Sequence, residues 1–143
     1  MEPKLEAWAL WLRSGLILLA TAGILIGVWA LLAPQSFYDD FPGGGRSWVL
    51  ALPPYNEHLV RDVGGLNLAL AVLLVSAAIM LERRLVQVAT IAALVYAVPH
   101  FSFHLANLEE LSTGDKVAQT ATLALAVVMP LALFVLASLR RRA

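Results

Sequence analysis

Apolar residues run along this chain in long unbroken stretches rather than in short alternations. Four stretches, residues 14–38, 63–81, 85–108 and 117–139, contain no Asp, Glu, Lys or Arg. A helix needs roughly 20 such residues to cross a hydrocarbon core of about 30 Å. Continuous tracts, lacking the period-two alternation of barrel strands, predict helices rather than strands. The expected fold is an all-α integral membrane four-helix bundle with antiparallel up-down topology. It forms a single membrane domain over residues 1–143, with helices at about 8–33, 57–81, 85–107 and 115–139 and an outer loop at about 34–56. A cleaved signal peptide fits the first stretch poorly. The stretch exceeds the usual h-region of about 7–15 residues, and Glu2 and Glu6 accompany Lys4 and Arg13 before it.

The polar breaks order the helices. Glu82, Arg83 and Arg84 form a minimal turn, so the second and third helices must be neighbours. Ser112, Thr113, Gly114 and Asp115 start the fourth, with Asp115 the expected N-cap. The first connection is long and carries Pro42-Gly43-Gly44-Gly45 and Pro53-Pro54, which break helix. Its aromatic residues predict partial order, with 47–52 lying at the interface or capping the bundle. Pro99 and Pro130 are expected to kink their helices. Gly23 with Gly27, and Gly65 with Ala69, place small residues four apart on helix faces. Such faces serve packing within the bundle or, less often, a homo-oligomer or a larger membrane complex.

Composition agrees with the pattern: 60% of residues are hydrophobic and 14% charged, and the mean hydropathy is +0.78. An ordinary soluble domain carries about 25% charged residues. With no cysteine, disulfides, thiolate metal sites and cysteine nucleophiles are excluded. The net charge of zero implies no attraction to nucleic acid. Sorted by loop, however, the charges separate. Lys4, Arg13, Arg83, Arg84, Arg140, Arg141 and Arg142 fall on one side of the bilayer, leaving Arg46, Arg61 and Lys116 on the other. Basic residues mark the cytoplasmic side, so both termini are expected in the cytoplasm, in a cytoplasmic (inner) membrane. The closing arginines then anchor topology and meet anionic lipid.

The candidate chemistry lies at the outward ends of the second and third helices. His58 and Asp62 are four apart, as are His100 and His104, so each pair shares a helix face. Reflecting the hairpin about Arg83 sets Asp62 level with His104, and His100 level with Leu66 and Asn67. Asp62, Asn67, His100 and His104 are therefore candidate ligand-binding residues. His58, Asp62, His100 and His104 form a candidate site for a divalent transition metal such as zinc, iron or copper, with Glu57 and Asn107 as outer partners. The alternatives are a non-metal ligand or proton-transfer site, and structural pairing in which Asp62 bonds His104, Asn56 caps the second helix and Glu57 pairs with Arg61. No GxGxxG, Walker, HExxH or GxSxG sequence is present.

Ala30-Leu31-Leu32-Ala33-Pro34 closing the first helix, followed by an aromatic loop and by Arg61-Asp62-Val63-Gly64-Gly65-Leu66-Asn67-Leu68-Ala69 in the second, resembles the DoxX-like group of small bacterial four-helix membrane proteins. The resemblance spans residues 27–81 and leaves out the histidine segment 99–104. It implies a four-helix membrane fold and, through the group's best-known members, quinone-linked sulfur oxidation. Three functional expectations follow. The first is a non-catalytic or accessory membrane subunit with an outward His and carboxylate cluster. The second is a metal- or quinone-dependent redox protein, and the third a small transporter.

Overall fold

The computed structural model describes residues 3–52 and 54–139, with side chains from Ala7 onward. Glu2, the arginines 140–142 and the side chains of Lys4 and Glu6, which entered the charge sorting, lie outside the described residues. In chain order the elements are α1 (Pro3–Leu32), α2 (Pro34–Asp40), β1 (Pro42–Gly43), β2 (Arg46–Ser47), α3 (Glu57–Met80), α4 (Arg83–Ala106) and α5 (Thr113–Leu139). Of these, α1, α3, α4 and α5 are long and apolar enough to cross a membrane.

Local chemistry sets the ends. The Asn56 side-chain oxygen accepts from the Leu59 N–H at 3.2 Å and caps α3. That helix closes at Leu81, a left-handed residue with φ 48° whose N–H reaches the Ala77 carbonyl. The expected cap of α5 is corrected by one turn. Ser112, not Asp115, is the N-cap: its hydroxyl accepts from the Asp115 N–H at 3.2 Å and donates to the Asp115 carboxylate at 2.6 Å. Ser-x-x-Asp is the capping-box spacing, in which the acidic residue sits three places inside the helix. Both α4 and α5 continue through their prolines, Pro99 and Pro130.

The helices associate chiefly as two pairs, α1 on α3 and α4 on α5, with lighter contact from α3 to α4 and from α1 to α5. A buried cluster around Leu12, Leu16, Leu74, Val86 and Leu133 joins all four long helices toward the Glu82 turn. The closest approach uses glycine. A Cβ on Gly27 would lie 2.9 Å from the Gly64 carbonyl, and one on Gly64 would lie 2.8 Å from the Leu31 nitrogen. Gly23 faces Asn67 and Ala71 in the same seam. The Gly23/Gly27 face is therefore filled from within the chain. The expected Gly65/Ala69 face is not in this contact: Gly65 looks onto open space and Ala69 is exposed, while Gly64 does the packing.

The connection between α1 and α3 is more ordered than a loop. Pro34 starts α2, where its missing N–H costs nothing. Gly43, Gly44 and Gly45, at φ 96°, 67° and 78°, turn β1 back onto β2. The aromatic side chains of this connection pack into a lid over α1 and α3. Trp29 meets Phe37 edge-on at 5.8 Å, Phe37 meets Phe41 at 4.8 Å, and Phe41 meets Trp48 at 6.3 Å. The Arg61 guanidinium ties the base of the lid, donating to Glu57 at 2.8 Å and to the Leu31 carbonyl at the end of α1.

Candidate functional site

Helix rotation decides which candidate residues meet. The buried stripe of α3 is Val60, Gly64, Asn67, Ala71 and Leu74. Asp62 stands two places from both Val60 and Gly64, about 200° around the helix. It therefore points away from the bundle. Asp62 Oδ2 instead lies 3.2 Å from His58 Nε2 on the exposed face of α3, with 61% and 84% of the two side chains exposed. His104 lies on the opposite kind of face, in the buried stripe of α4 with Val86, Thr90 and Ala97.

The four-residue constellation is thus divided into two pairs, and the expected Asp62–His104 bond is not formed. Among the described residues, no three His, Asp or Glu side chains gather closely enough to hold a metal ion. The expected outer partners are engaged elsewhere. Glu57 holds Arg61, and the Asn107 side chain donates to the Phe103 carbonyl at 2.8 Å. The Asn56 cap and the Glu57–Arg61 pair stand as the spacing predicted.

What the bundle does assemble is a string of polar side chains across three helices. Asn67 of α3, only 7% exposed, donates to the Val63 carbonyl at 2.9 Å and to the Tyr96 hydroxyl at 3.4 Å. Tyr96 stacks on His100, with ring centroids 5.2 Å apart and planes 18° apart. His100 meets His104 edge-on at 4.6 Å, and Phe103 closes on His104 at 5.9 Å. The string ends on Gln119 of α5, which is 2% exposed and lies against His104. Asn67 meets the Tyr96 hydroxyl, and no hydrogen bond joins it to His100 among the described residues.

Two atoms of this string lack partners. Among the described residues, His104 Nδ1 and Gln119 Oε1 are buried and lie against each other, and neither has a partner within full hydrogen-bonding geometry. Depending on tautomer the imidazole nitrogen donates or accepts, and the amide oxygen accepts. Together they offer complementary positions to a small polar group.

The lid fastens one turn from Gln119. Trp48 Nε1 donates to Asp115 Oδ1 at 2.9 Å, and Arg46 stands 3.5 Å from the same oxygen. Asp115 and Gln119 are four apart on α5 and share a face. In the lid, Tyr55 packs on Tyr38 at 5.3 Å. Burial first, then the charge of Glu57, push its hydroxyl above the ordinary tyrosine pKa.

Tyr96 and Gln119 were not among the candidates drawn from sequence. Their signals were there: Tyr96 sits one turn before His100, and Gln119 is the sole amide in the apolar run 117–139. No protein family, curated protein or solved structure matches the chain.

Proposed function

We propose that this chain is a non-catalytic or accessory membrane protein that holds a small hydrogen-bonding ligand at the His104–Gln119 end of its polar string. The bundle is read as antiparallel and up-down, with both ends and the Glu82 turn in the cytoplasm and the aromatic lid outside an inner membrane. Contacts along the α1/α3 seam support the antiparallel order: Arg13 meets Ala78, Gly23 meets Ala71, and Gly27 meets Gly64. The positive charge at the Glu82 turn supports the orientation.

One observation carries the ligand reading: two buried polar atoms without partners, at a depth where each such atom costs free energy. A hydroxyl would satisfy both by accepting from the imidazole N–H and donating to the amide oxygen, and a primary amide by donating one N–H to each. The flat stack of Tyr96 on His100 favours an aromatic carrier of that hydroxyl. A quinol has this chemistry, which joins the site to the quinone chemistry that the DoxX-like resemblance implies.

The test is the melting temperature of the purified chain with ubiquinol-1 and with ubiquinone-1. Ligand at about 100 times its Kd stabilises by about 2.7 kcal/mol. The quinol is expected to raise the melting temperature of the native chain, and His104→Leu to abolish the rise. An absence of stabilisation by either form, or a rise that persists in His104→Leu, contradicts the assignment.

A further inference from the structure

A second feature lies on the lipid-facing side of the α1/α3 pair, toward the Glu82 turn. An open groove of about 470 Å³ runs between the helices, with Arg13, Ile17, Thr21 and Ile24 along α1 and Val75 and Ile79 along α3. From Arg13 to Ile24 it extends about 16 Å at 1.5 Å per residue. Its apolar side chains remain open to the surroundings, with Ile17 49%, Ile24 40% and Ile79 71% exposed.

Arg13 closes one end of the groove and lies inside the span Ala7–Leu32. Its Nε donates to the Ala78 carbonyl at 3.1 Å, near the C-terminal end of α3. This fixes the guanidinium plane at the groove. A guanidinium carries five N–H donors in a rigid fork, so those on the Nη atoms remain. Among the described residues, no carboxylate pairs with it and no hydrogen bond uses those donors. A cation within a span ordinarily faces a counter-ion or water. Here the side that stays open faces lipid, and the structural partner that fits a planar fork is a phosphate.

We propose that Arg13 and the α1/α3 groove form a binding site for one anionic phospholipid, with the headgroup phosphate on the guanidinium and an acyl chain along Ile17, Ile24, Val75 and Ile79. The shape and the charge point to the same occupant. Basic pockets between transmembrane helices are suited to anionic headgroups, and the apolar floor is suited to a chain rather than to a free ion. Arg83 and Arg84 place further positive charge at the same end of the bundle. This inference rests on the membrane-spanning reading but not on the polar string, so its failure leaves the ligand site untouched.

Native mass spectrometry of the full chain, offered equal amounts of phosphatidylglycerol and phosphatidylcholine with identical acyl chains, tests it. One phosphatidylglycerol per chain is expected to be retained in preference to phosphatidylcholine. Arg13→Gln should lower that preference about five-fold, and Arg13→Lys, which keeps the charge but not the fork, should lower it by less. Thr21→Trp, which fills the groove and spares the charge, should weaken retention of both lipids. Equal retention of the two lipids by the native chain, or an unchanged preference in Arg13→Gln, overturns the proposal. So does displacement of phosphatidylglycerol by millimolar inorganic phosphate, which would leave the groove without a role. A dimer that Thr21→Trp dissolves, with no bound lipid, would assign the groove to a second copy instead.

Discussion

Adjacent glycines in α3 carry opposite consequences. A methyl on Gly64 would enter backbone atoms of α1, at 2.8 Å from the Leu31 nitrogen and 3.0 Å from the Gly27 carbonyl. Backbone cannot give way as a side-chain tip can, so Gly64→Ala should destabilise the bundle by about 1–3 kcal/mol. Gly65 has nothing within 4 Å of its would-be Cβ. Gly65→Ala should leave stability unchanged or raise it by up to about 1 kcal/mol through helix propensity. Denaturant titration of the two variants in one detergent checks both. The GxxxG of α1 was readable as a packing element, but its partner glycine was not, because neighbouring positions differ by about 100° of rotation. By the same geometry Asp62 and Asn67, five residues apart, stand about 140° apart around α3. The exposed His58–Asp62 pair should accordingly contribute little, and His58→Ala should shift stability by no more than about 0.5 kcal/mol.

At the scale of elements, the lid depends on Asp115. The carboxylate accepts from Trp48 and Ser112 and lies beside Arg46, so it joins the hairpin to the first turn of α5. Trp48→Phe keeps an aromatic ring among Phe41 and its neighbours but removes the Nε1 donor. Hydrogen bonds to charged groups are worth about 1.5–3 kcal/mol. Hydrogen exchange should therefore accelerate in the amides of residues 41–49 while the four long helices stay protected; unchanged exchange in the lid would contradict the latch. The four helices long and apolar enough to cross a membrane were legible because each rests on a long run without charge, which a water-soluble surface seldom leaves four times in one short chain. The order within 34–56 was not. Pro34 reads equally as a helix breaker and as a helix start, and the triple glycine reads as flexibility until strands pair across it.

The whole molecule holds two helix pairs, a core toward the Glu82 turn and a polar string nearer the lid. Sequence spacing gathered His100 and His104 on one face of α4 but joined them to His58 and Asp62, which rotation carries outward. It overlooked the amide on α5, although the short connection from α4 to α5 sets the first turns of α5 beside the end of α4 that carries His104. The string runs instead through Asn67, Tyr96, His100, His104 and Gln119, and ends on two unsatisfied atoms. A structural polar network is satisfied internally, and losing it destabilises the fold. A binding site left open carries a cost in the empty state that apolar replacement relieves. The melting temperature of His104→Leu/Gln119→Leu, measured without and with ubiquinol-1, separates the two. The ligand-site account predicts a variant at least as stable as the native chain that no longer responds to the quinol. A fall of about 5 °C or more in the absence of ligand, corresponding to roughly 1–2 kcal/mol for a chain of this size, would show that the pair holds the bundle together and would contradict the account.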